Sequence, residues 1–317
     1  MRAAVVPAPE EAPRYGEFPD PQAGPDDVLL DLVAAAVHPL VRSRARGTHY
    51  SSGQRYPMVP GMDGVGRTRE GALVYAGEVH EPWGTFADRF AAPRTRTVPL
   101  PDGIDPVAVA ASMNPGMSSW MPITEHLAGG GALGTVLVLG ATGTAGGLAV
   151  QNSRRLGAGR VVGAGRGADA LVRVLALGAE PVELTGDADA DVQSLAAALD
   201  GEAPALVLDY LWGAPAEVAF RALAAGPAGD GTLYVEVGAV AGPTAAMPAA
   251  LLRSRRFRVR GSGIGSVDMS RYRDEAVAYL GRIASGAVVV PTVTFPLERV
   301  ADAWQATHGP RAVVTPV

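Results

Sequence analysis

The chain contains no cysteine. Disulfides, a cysteine nucleophile and every thiolate metal site are therefore excluded. It contains no lysine either, because all 27 residues counted as Lys+Arg are arginine, and lysine Schiff-base chemistry goes with it. No apolar run reaches the ~18 residues of a membrane-spanning helix. The opening Met1-Arg2-Ala3-Ala4-Val5-Val6-Pro7 is too short an apolar stretch for a secretory signal, so a cytoplasmic address is expected. The formal net charge is −5, without the basic excess that nucleic acid attracts.

What is present is a chain of 317 residues, 48% hydrophobic and 19% charged. That suits a soluble globular protein of two domains. Residues 1–112 show short apolar runs between Pro-Gly, Asp-Gly and Gly-Pro pairs: Ala3–Val6, Val28–Val37, Gly71–Tyr75, Phe86–Ala91 and Thr97–Leu100. Helix-period patterning is missing, and a β-rich, barrel-like domain is expected. At Asp105-Pro106 an acidic cap and a first-turn proline start an Ala-rich helix. Asn114-Pro115-Gly116 is read as its break, with a second helix from there to Leu127.

The rest of the chain is organised around Thr135–Leu139, a β-branched and apolar run that enters the turn Gly140-Ala141-Thr142-Gly143-Thr144-Ala145-Gly146-Gly147. A helix over Leu148–Leu156 and a second apolar run, Val161–Ala164, follow. Strand, glycine turn, helix and strand form the unit that holds a dinucleotide pyrophosphate on a helix N-terminus. The three places of the G-x-G-x-x-G fingerprint read Ala141, Gly143 and Gly146, and Gly140 stands ready to make the tight turn. Helices are expected at Asp169–Leu177, Asp189–Leu199, Ala214–Ala225 and Met247–Arg255. Strands are expected at Pro181–Leu184, Leu206–Asp209, Thr232–Val237 and Phe257–Gly261. This alternation implies a doubly wound parallel sheet of Rossmann type. A helix Arg273–Ala284, a strand-like Val288–Phe295, a helix Leu297–Thr307 and a strand Ala312–Thr315 then return to the first domain. The expected division is 1–112, 113–263 and 264–317.

In the dinucleotide fold an acidic residue about 20 positions past the glycines binds the adenosine ribose hydroxyls. Here that place is Gly165, followed by Arg166. Loss of the carboxylate removes repulsion toward a 2′-phosphate, and Arg supplies a planar cation that suits one. NADPH is thus expected over NADH. The one basic cluster, Arg253–Arg260, has two readings: a charged strand face that discourages stray edge pairing, or a handle for a phosphate-bearing substrate such as coenzyme A.

Four stretches carry a family resemblance: Val-Pro-Gly-Met-Asp-Gly-Val-Gly at Val59–Gly66, Gly-Thr-Phe-Ala at Gly84–Ala87, Asn-Pro-Gly-Met-Ser-Ser-Trp at Asn114–Trp120, and the turn Ala141–Gly146. With these the chain resembles the medium-chain dehydrogenase/reductase superfamily, in its zinc-free quinone oxidoreductase-like branch. The resemblance implies a GroES-like β-rich catalytic domain built from both chain ends, and a Rossmann NADP(H)-binding domain inserted between them. It also implies a homodimer through Rossmann sheet edges, with Phe257–Gly263 near the dyad. Zinc-dependent members carry Gly-His-Glu where this chain reads Gly61-Met62-Asp63. None of His38, His49, His80, His126 and His308 pairs at a metal-ligand spacing, so no metal is expected.

Without a Lewis acid the chemistry tilts toward acceptors that are already activated, namely quinones and α,β-unsaturated carbonyl compounds. Ala36-Val37-His38-Pro39-Leu40 matches the family's Val-Asn-Pro stretch, with His38 in the Asn place and Val41 where an Asp is common. His38, His49, Tyr50 and Tyr56 are the candidate catalytic residues, Tyr50 being preferred as proton donor or oxyanion partner. The candidate cofactor residues are Asn114, Ser118, Gly140, Ala141, Thr142, Gly143, Thr144, Ala145, Gly146, Gly165, Arg166, Tyr210, Val237, Gly238, Ser262, Gly263 and Arg311, the last standing in the place of a family Lys. The reading is an NADPH-dependent, zinc-independent reductase of quinones or enones. Two rivals remain open: a biosynthetic enzyme that reduces one double bond of a specific intermediate, and an NADPH-binding sensor without turnover. Nucleic-acid and membrane partners are not expected.

Overall fold

The computed structural model describes residues 1–53 and 55–316. By internal contacts the chain divides into two compact units: Met1–Asn114 with Arg273–Val317, and Pro115–Tyr272.

In the first unit β1 (Arg2–Val5) pairs antiparallel with β2 (Arg14–Glu17). Then come β3 (Asp27–Ala36), α1 (Pro39–Ala45), β4 (Gly64–Arg67), β5 (Leu73–Ala76), β6 (Arg89–Pro93) and β7 (Thr97–Pro99). β3 is the long central strand, with β4 and β6 both antiparallel to it. α1, β2 and β4 were not legible in advance: each has only seven or four residues. The apolar run Phe86–Ala91 enters the sheet late because its start is used elsewhere. Ala4 N–H donates to the Phe86 carbonyl, and Ala3 bridges Ala87.

The junction helix α2 runs unbroken over Pro106–Ala128, with Pro115 and Pro122 inside it. This corrects the expected break at Asn114-Pro115-Gly116. An internal proline costs a helix hydrogen bond, but here neighbours engage the backbone around both prolines. The Asn152 side chain donates to the Gly116 carbonyl at 3.1 Å, and Ser118 Oγ to the Pro115 carbonyl at 2.6 Å. Pro122 leaves the Ser118 carbonyl without its helical donor, and Ser262 Oγ stands 3.5 Å from it.

In the second unit β8 (Thr135–Leu139), α3 (Thr144–Arg155), β9 (Arg160–Gly165), α4 (Ala168–Ala176), β10 (Glu180–Glu183), α5 (Ala188–Leu199), β11 (Leu206–Asp209), α6 (Gly213–Ala225), β12 (Thr232–Glu236), α7 (Ala249–Ser254) and β13 (Phe257–Gly261) alternate. Among the described residues the strands form a parallel sheet ordered β10-β9-β8-β11-β12-β13. The chain winds outward from β8 to one edge and then from β11 to the other, so the order reverses between β8 and β11. Strand periodicity builds both faces. Leu137 and Leu139 pack with Leu195 and Phe220 on one side, and Val136 and Val138 with Ala149 and Ile123 on the other.

From Arg273 the last segment belongs to the first unit: α8 (Tyr272–Ala284), β14 (Thr292–Pro296), α9 (Val300–Gln305) after a 3-10 turn at Leu297–Arg299, and β15 (Arg311–Thr315). β15 pairs antiparallel with β3, and β14 parallel with β15. β14 starts at Thr292 rather than Val288, because Pro291 has no N–H to give a ladder. Its carbonyl still accepts from Arg311 N–H at 2.7 Å.

Candidate functional site

The glycine turn lies at the order reversal, between β8 and α3. Gly140 adopts φ +87°, a conformation natural to glycine, and its amide and that of Ala141 donate to the Ala164 carbonyl of β9. A Cβ on Gly146 would run into the Gly140 backbone, so only glycine lets α3 approach β8 this closely. Gly143 is the N-cap of α3 and has no side chain to cap with. The amides of Thr144, Ala145 and Gly146 therefore have no acceptor inside the helix, and they concentrate the positive end of the helix dipole there. A Cβ on Gly143 would meet nothing nearer than the Gly140 carbonyl at 3.5 Å. A glycine N-cap with uncommitted amides behind it is a cradle of the kind a pyrophosphate fills.

At the end of β9, Gly165 is buried, and a Cβ there would sit 2.5 Å from the Thr142 side chain. No carboxylate fits in that place. Arg166 is exposed and carries no hydrogen bond or ion pair among the described residues. Close to it Asp191, 4% exposed, accepts from Thr185 N and Oγ1 and from Gly186 N at 2.7–3.0 Å. Burial pushes the Asp191 carboxyl up. The Thr185 and Gly186 bonds and the Arg166 charge outweigh burial and leave it below the usual carboxylate range. With its oxygens occupied, Asp191 shapes the loop beside Arg166. Sequence reasoning missed it, because its partners lie five and six residues earlier and signal only a loop.

The C-terminal ends of β11, β12 and β13 follow. Asp209 is fully buried and accepts from the Leu211 and Trp212 amides and, at 2.6 Å, from the Tyr234 hydroxyl. Burial raises its carboxyl above the usual range despite these bonds. The bonds hold Trp212 at φ +53°, a strained position for a tryptophan. The Tyr210 and Ser118 hydroxyls stand 3.0 Å apart, and burial drives the Tyr210 phenol up to about 12. The Val237 and Gly238 amides are both spent on the Asp209 carbonyl, at 2.7 and 3.1 Å. Ser262 N donates to Glu236, and Gly263 N to Ser266 Oγ. Tyr210, Val237, Gly238, Ser262 and Gly263 thus lie in the same unit as the glycine turn, at strand ends where open α/β sheets bind ligands, and Ser118 of α2 belongs to that unit too.

Asn114 and Arg311 belong to the first unit. Asn114 is half-buried within α2. Arg311 donates to the Val37 carbonyl at 3.0 Å, its Nε is buried without a partner, and burial pushes it down to about 10. His38 is 3% exposed, and its Nε2 lies 2.9 Å from Asp63 Oδ1. Tyr75 donates to Asp63 Oδ2 at 2.9 Å. The His49 ring bonds within its own loop to Ser51, and burial, with Arg44 nearby, lowers its basicity. Tyr50 is 77% exposed and stacks on His49, and Tyr56 spends its proton on the Ala45 carbonyl at 2.8 Å. Among the described residues no three His, Asp or Glu are grouped to hold a metal ion.

The sheet order, the glycine cradle and the ligand-side strand ends define a dinucleotide-binding α/β protein joined to a β-rich unit. No protein-family model matches the chain. It is 30% identical, over 100% of both chains, to the probable NADPH-dependent quinone reductase tdiC of Emericella nidulans. Among solved structures it resembles the quinone oxidoreductase of Thermus thermophilus, determined alone and with NADPH (27% identity, TM-score 0.76, 99% of this chain and 100% of that one). It also resembles a mycobacterial quinone oxidoreductase (19%, TM-score 0.84, 100% of both). The chain belongs to the quinone oxidoreductase-like, zinc-free branch of the medium-chain dehydrogenase/reductase superfamily.

Proposed function

We propose that this chain is an NADPH-dependent, zinc-independent reductase of quinones or α,β-unsaturated carbonyl compounds. The observation that carries the reading is the end of β9: a buried glycine where an NADH site needs its carboxylate, followed by an unpaired arginine. The amides of Thr144, Ala145 and Gly146 would hold the pyrophosphate, with Gly140, Ala141, Thr142 and Gly143 shaping the turn, and Gly165 and Arg166 would accommodate the 2′-phosphate. Ser118, Tyr210, Ser262, Gly263 and the carbonyls of Val237 and Gly238 are assigned to the nicotinamide half. Asn114 and Arg311 remain cofactor candidates from the first unit. When bound, NADPH supplies a hydride. The protein adds orientation, exclusion of water and a proton for the oxygen on which charge develops.

The relatives' printed names support quinones as acceptors. Partner chemistry includes a second copy of the chain. Among the described residues β13 is an unpaired sheet edge, with Arg258 and Val259 exposed, and edge-to-edge pairing there gives a homodimer.

The test is NADPH oxidation over a panel of quinones and enones, together with cofactor titration of Arg166→Ala. Turnover on at least one acceptor is expected. The variant should bind NADPH roughly 10- to 100-fold more weakly, the worth of a charge-assisted phosphate contact, while NADH affinity holds. Tight NADPH binding without turnover on any acceptor, or equal losses for both cofactors, rejects the assignment.

A further inference from the structure

A carboxylate removed from water keeps its place only through its hydrogen bonds, and in the second unit one such group holds two turns at once. Asp209 ends β11 and is fully buried. Its Oδ1 accepts from the Leu211 and Trp212 amides at 2.8 and 3.0 Å, and its Oδ2 from the Tyr234 hydroxyl of β12 at 2.6 Å. Its main-chain carbonyl accepts from the Val237 and Gly238 amides at 2.7 and 3.1 Å. The turns after β11 and β12 thus meet on a single residue, and the Ala241 amide joins them again by donating to the Leu211 carbonyl at 2.7 Å. The first of these turns is strained. Trp212 stands at φ +53° and ψ −160°, a region occupied almost only by glycine, where another residue persists only if its surroundings enforce it. Its ring meets Phe220 and Tyr234 edge to face, so the side chain is anchored in the core while the backbone takes the strain. Gly213 follows at φ +57°, and a Cβ there would lie 2.9 Å from the Ala241 carbonyl.

We infer that Asp209 is a positioning residue for the nicotinamide half of the cofactor site, acting through the strained Tyr210–Trp212 turn. The inference rests on the reductase reading above, which assigns Tyr210, Val237 and Gly238 to that half. Asp209 fixes these residues relative to one another. A Cβ on Gly238 would stand 3.3 Å from the Tyr210 carbonyl, so the two turns pack backbone to backbone. The Tyr210 hydroxyl is steadied by that of Ser118, 3.0 Å away. A ligand that meets a turn already in its binding conformation loses no affinity to ordering it. Without the carboxylate nothing holds Trp212 at positive φ, and Tyr210, Val237 and Gly238 lose their common support. Binding of NADPH then has to order them, and its affinity falls. The bonds of Asp209 reach neither Gly165 nor Arg166 nor the amides of Thr144, Ala145 and Gly146. The loss therefore falls on one half of the ligand only, whereas a general loosening of the sheet would be felt by both.

The test measures the affinity of NADPH and of 2′,5′-ADP, which keeps the adenosine and its 2′-phosphate and lacks the nicotinamide. The proteins compared are wild type, Asp209→Asn, Tyr234→Phe and the double variant Asp209→Asn, Trp212→Gly. Asp209→Asn keeps one acceptor oxygen, loses the charge and turns an amide toward the Tyr234 hydroxyl. It should bind NADPH about 10-fold or more weakly, the worth of a charged hydrogen-bond acceptor, with 2′,5′-ADP affinity unchanged. Tyr234→Phe removes one bond from the same carboxylate and should show a smaller loss, again for NADPH alone. It decides the matter by itself if Asp209→Asn does not fold. Trp212→Gly places at the strained position the residue that adopts it freely, and should recover part of the NADPH affinity lost in Asp209→Asn. Equal losses for NADPH and 2′,5′-ADP overturn the inference, and so does an Asp209→Asn protein that binds NADPH like wild type. In both cases tight binding of NADPH by the wild-type protein leaves the reductase reading standing. A wild-type protein that binds no NADPH overturns both.

Discussion

Gly143 and Gly146 are three residues apart and serve different masters. Gly146 is where α3 meets the Gly140 backbone, whereas a Cβ on Gly143 would make only ordinary contact, with the Gly140 carbonyl at 3.5 Å. Alanine at 146 is therefore an overpacking change, expected to cost about 1–3 kcal/mol of stability in urea unfolding. Alanine at 143 should leave unfolding nearly unchanged and still weaken NADPH, because the methyl group enters the space assigned to the pyrophosphate. Unaltered NADPH affinity in Gly143→Ala would reject that use of the turn. Asp191 supplies a pH-dependent case. Its carboxyl lies below the usual range in the folded chain. Its stabilisation is complete above the unfolded-state pKa of ~3.9 and drains away as pH falls through the lower, folded value. Asp191→Asn should therefore be about 1–2 kcal/mol less stable at pH 7, with the gap closing on acidification. A gap that is constant with pH would show that shape, not charge, matters there.

At the level of elements, α2 shows why proline rules mislead. Two prolines predict a break, yet the helix continues where side chains from other elements engage the backbone beside them. β13 shows the opposite limit. Its run Phe257–Gly261 was legible to the residue, but only the sheet order makes it an edge. Phe257 is buried while Val259 is 37% exposed, so cover over that strand falls away along its length. An exposed edge is a template for pairing with another strand. Val259→Asp, which puts a charge on that edge, is expected to shift sedimentation from dimer to monomer and to leave NADPH binding intact. A wild-type monomer at all concentrations would remove the edge as an interface.

For the whole molecule, the missing cysteines and the scattered histidines have a direct consequence. With no group of three potential ligands among the described residues, removal of metal by a chelator is expected to leave kcat and melting temperature unchanged, and added zinc should restore nothing. A chelator-sensitive rate would contradict zinc independence. No helix among the described residues is long and apolar enough to cross a membrane.

The sequence by itself determined the α/β alternation, the glycine turn and the Gly165-Arg166 pair. These are local signals: a period of two or 3.6, a residue that tolerates positive φ, a charge present or missing at a counted position. Short elements such as α1 and β4 escaped it, because four to seven residues hold less than two periods of any pattern. Only the tertiary structure decided what the lone polar residues do. His38 and Asp63 are 25 positions apart, and nothing in either neighbourhood announces the other. The sheet that carries both out of water brings them together, since a carboxylate and an imidazole removed from solvent must find partners or pay the full cost of desolvation.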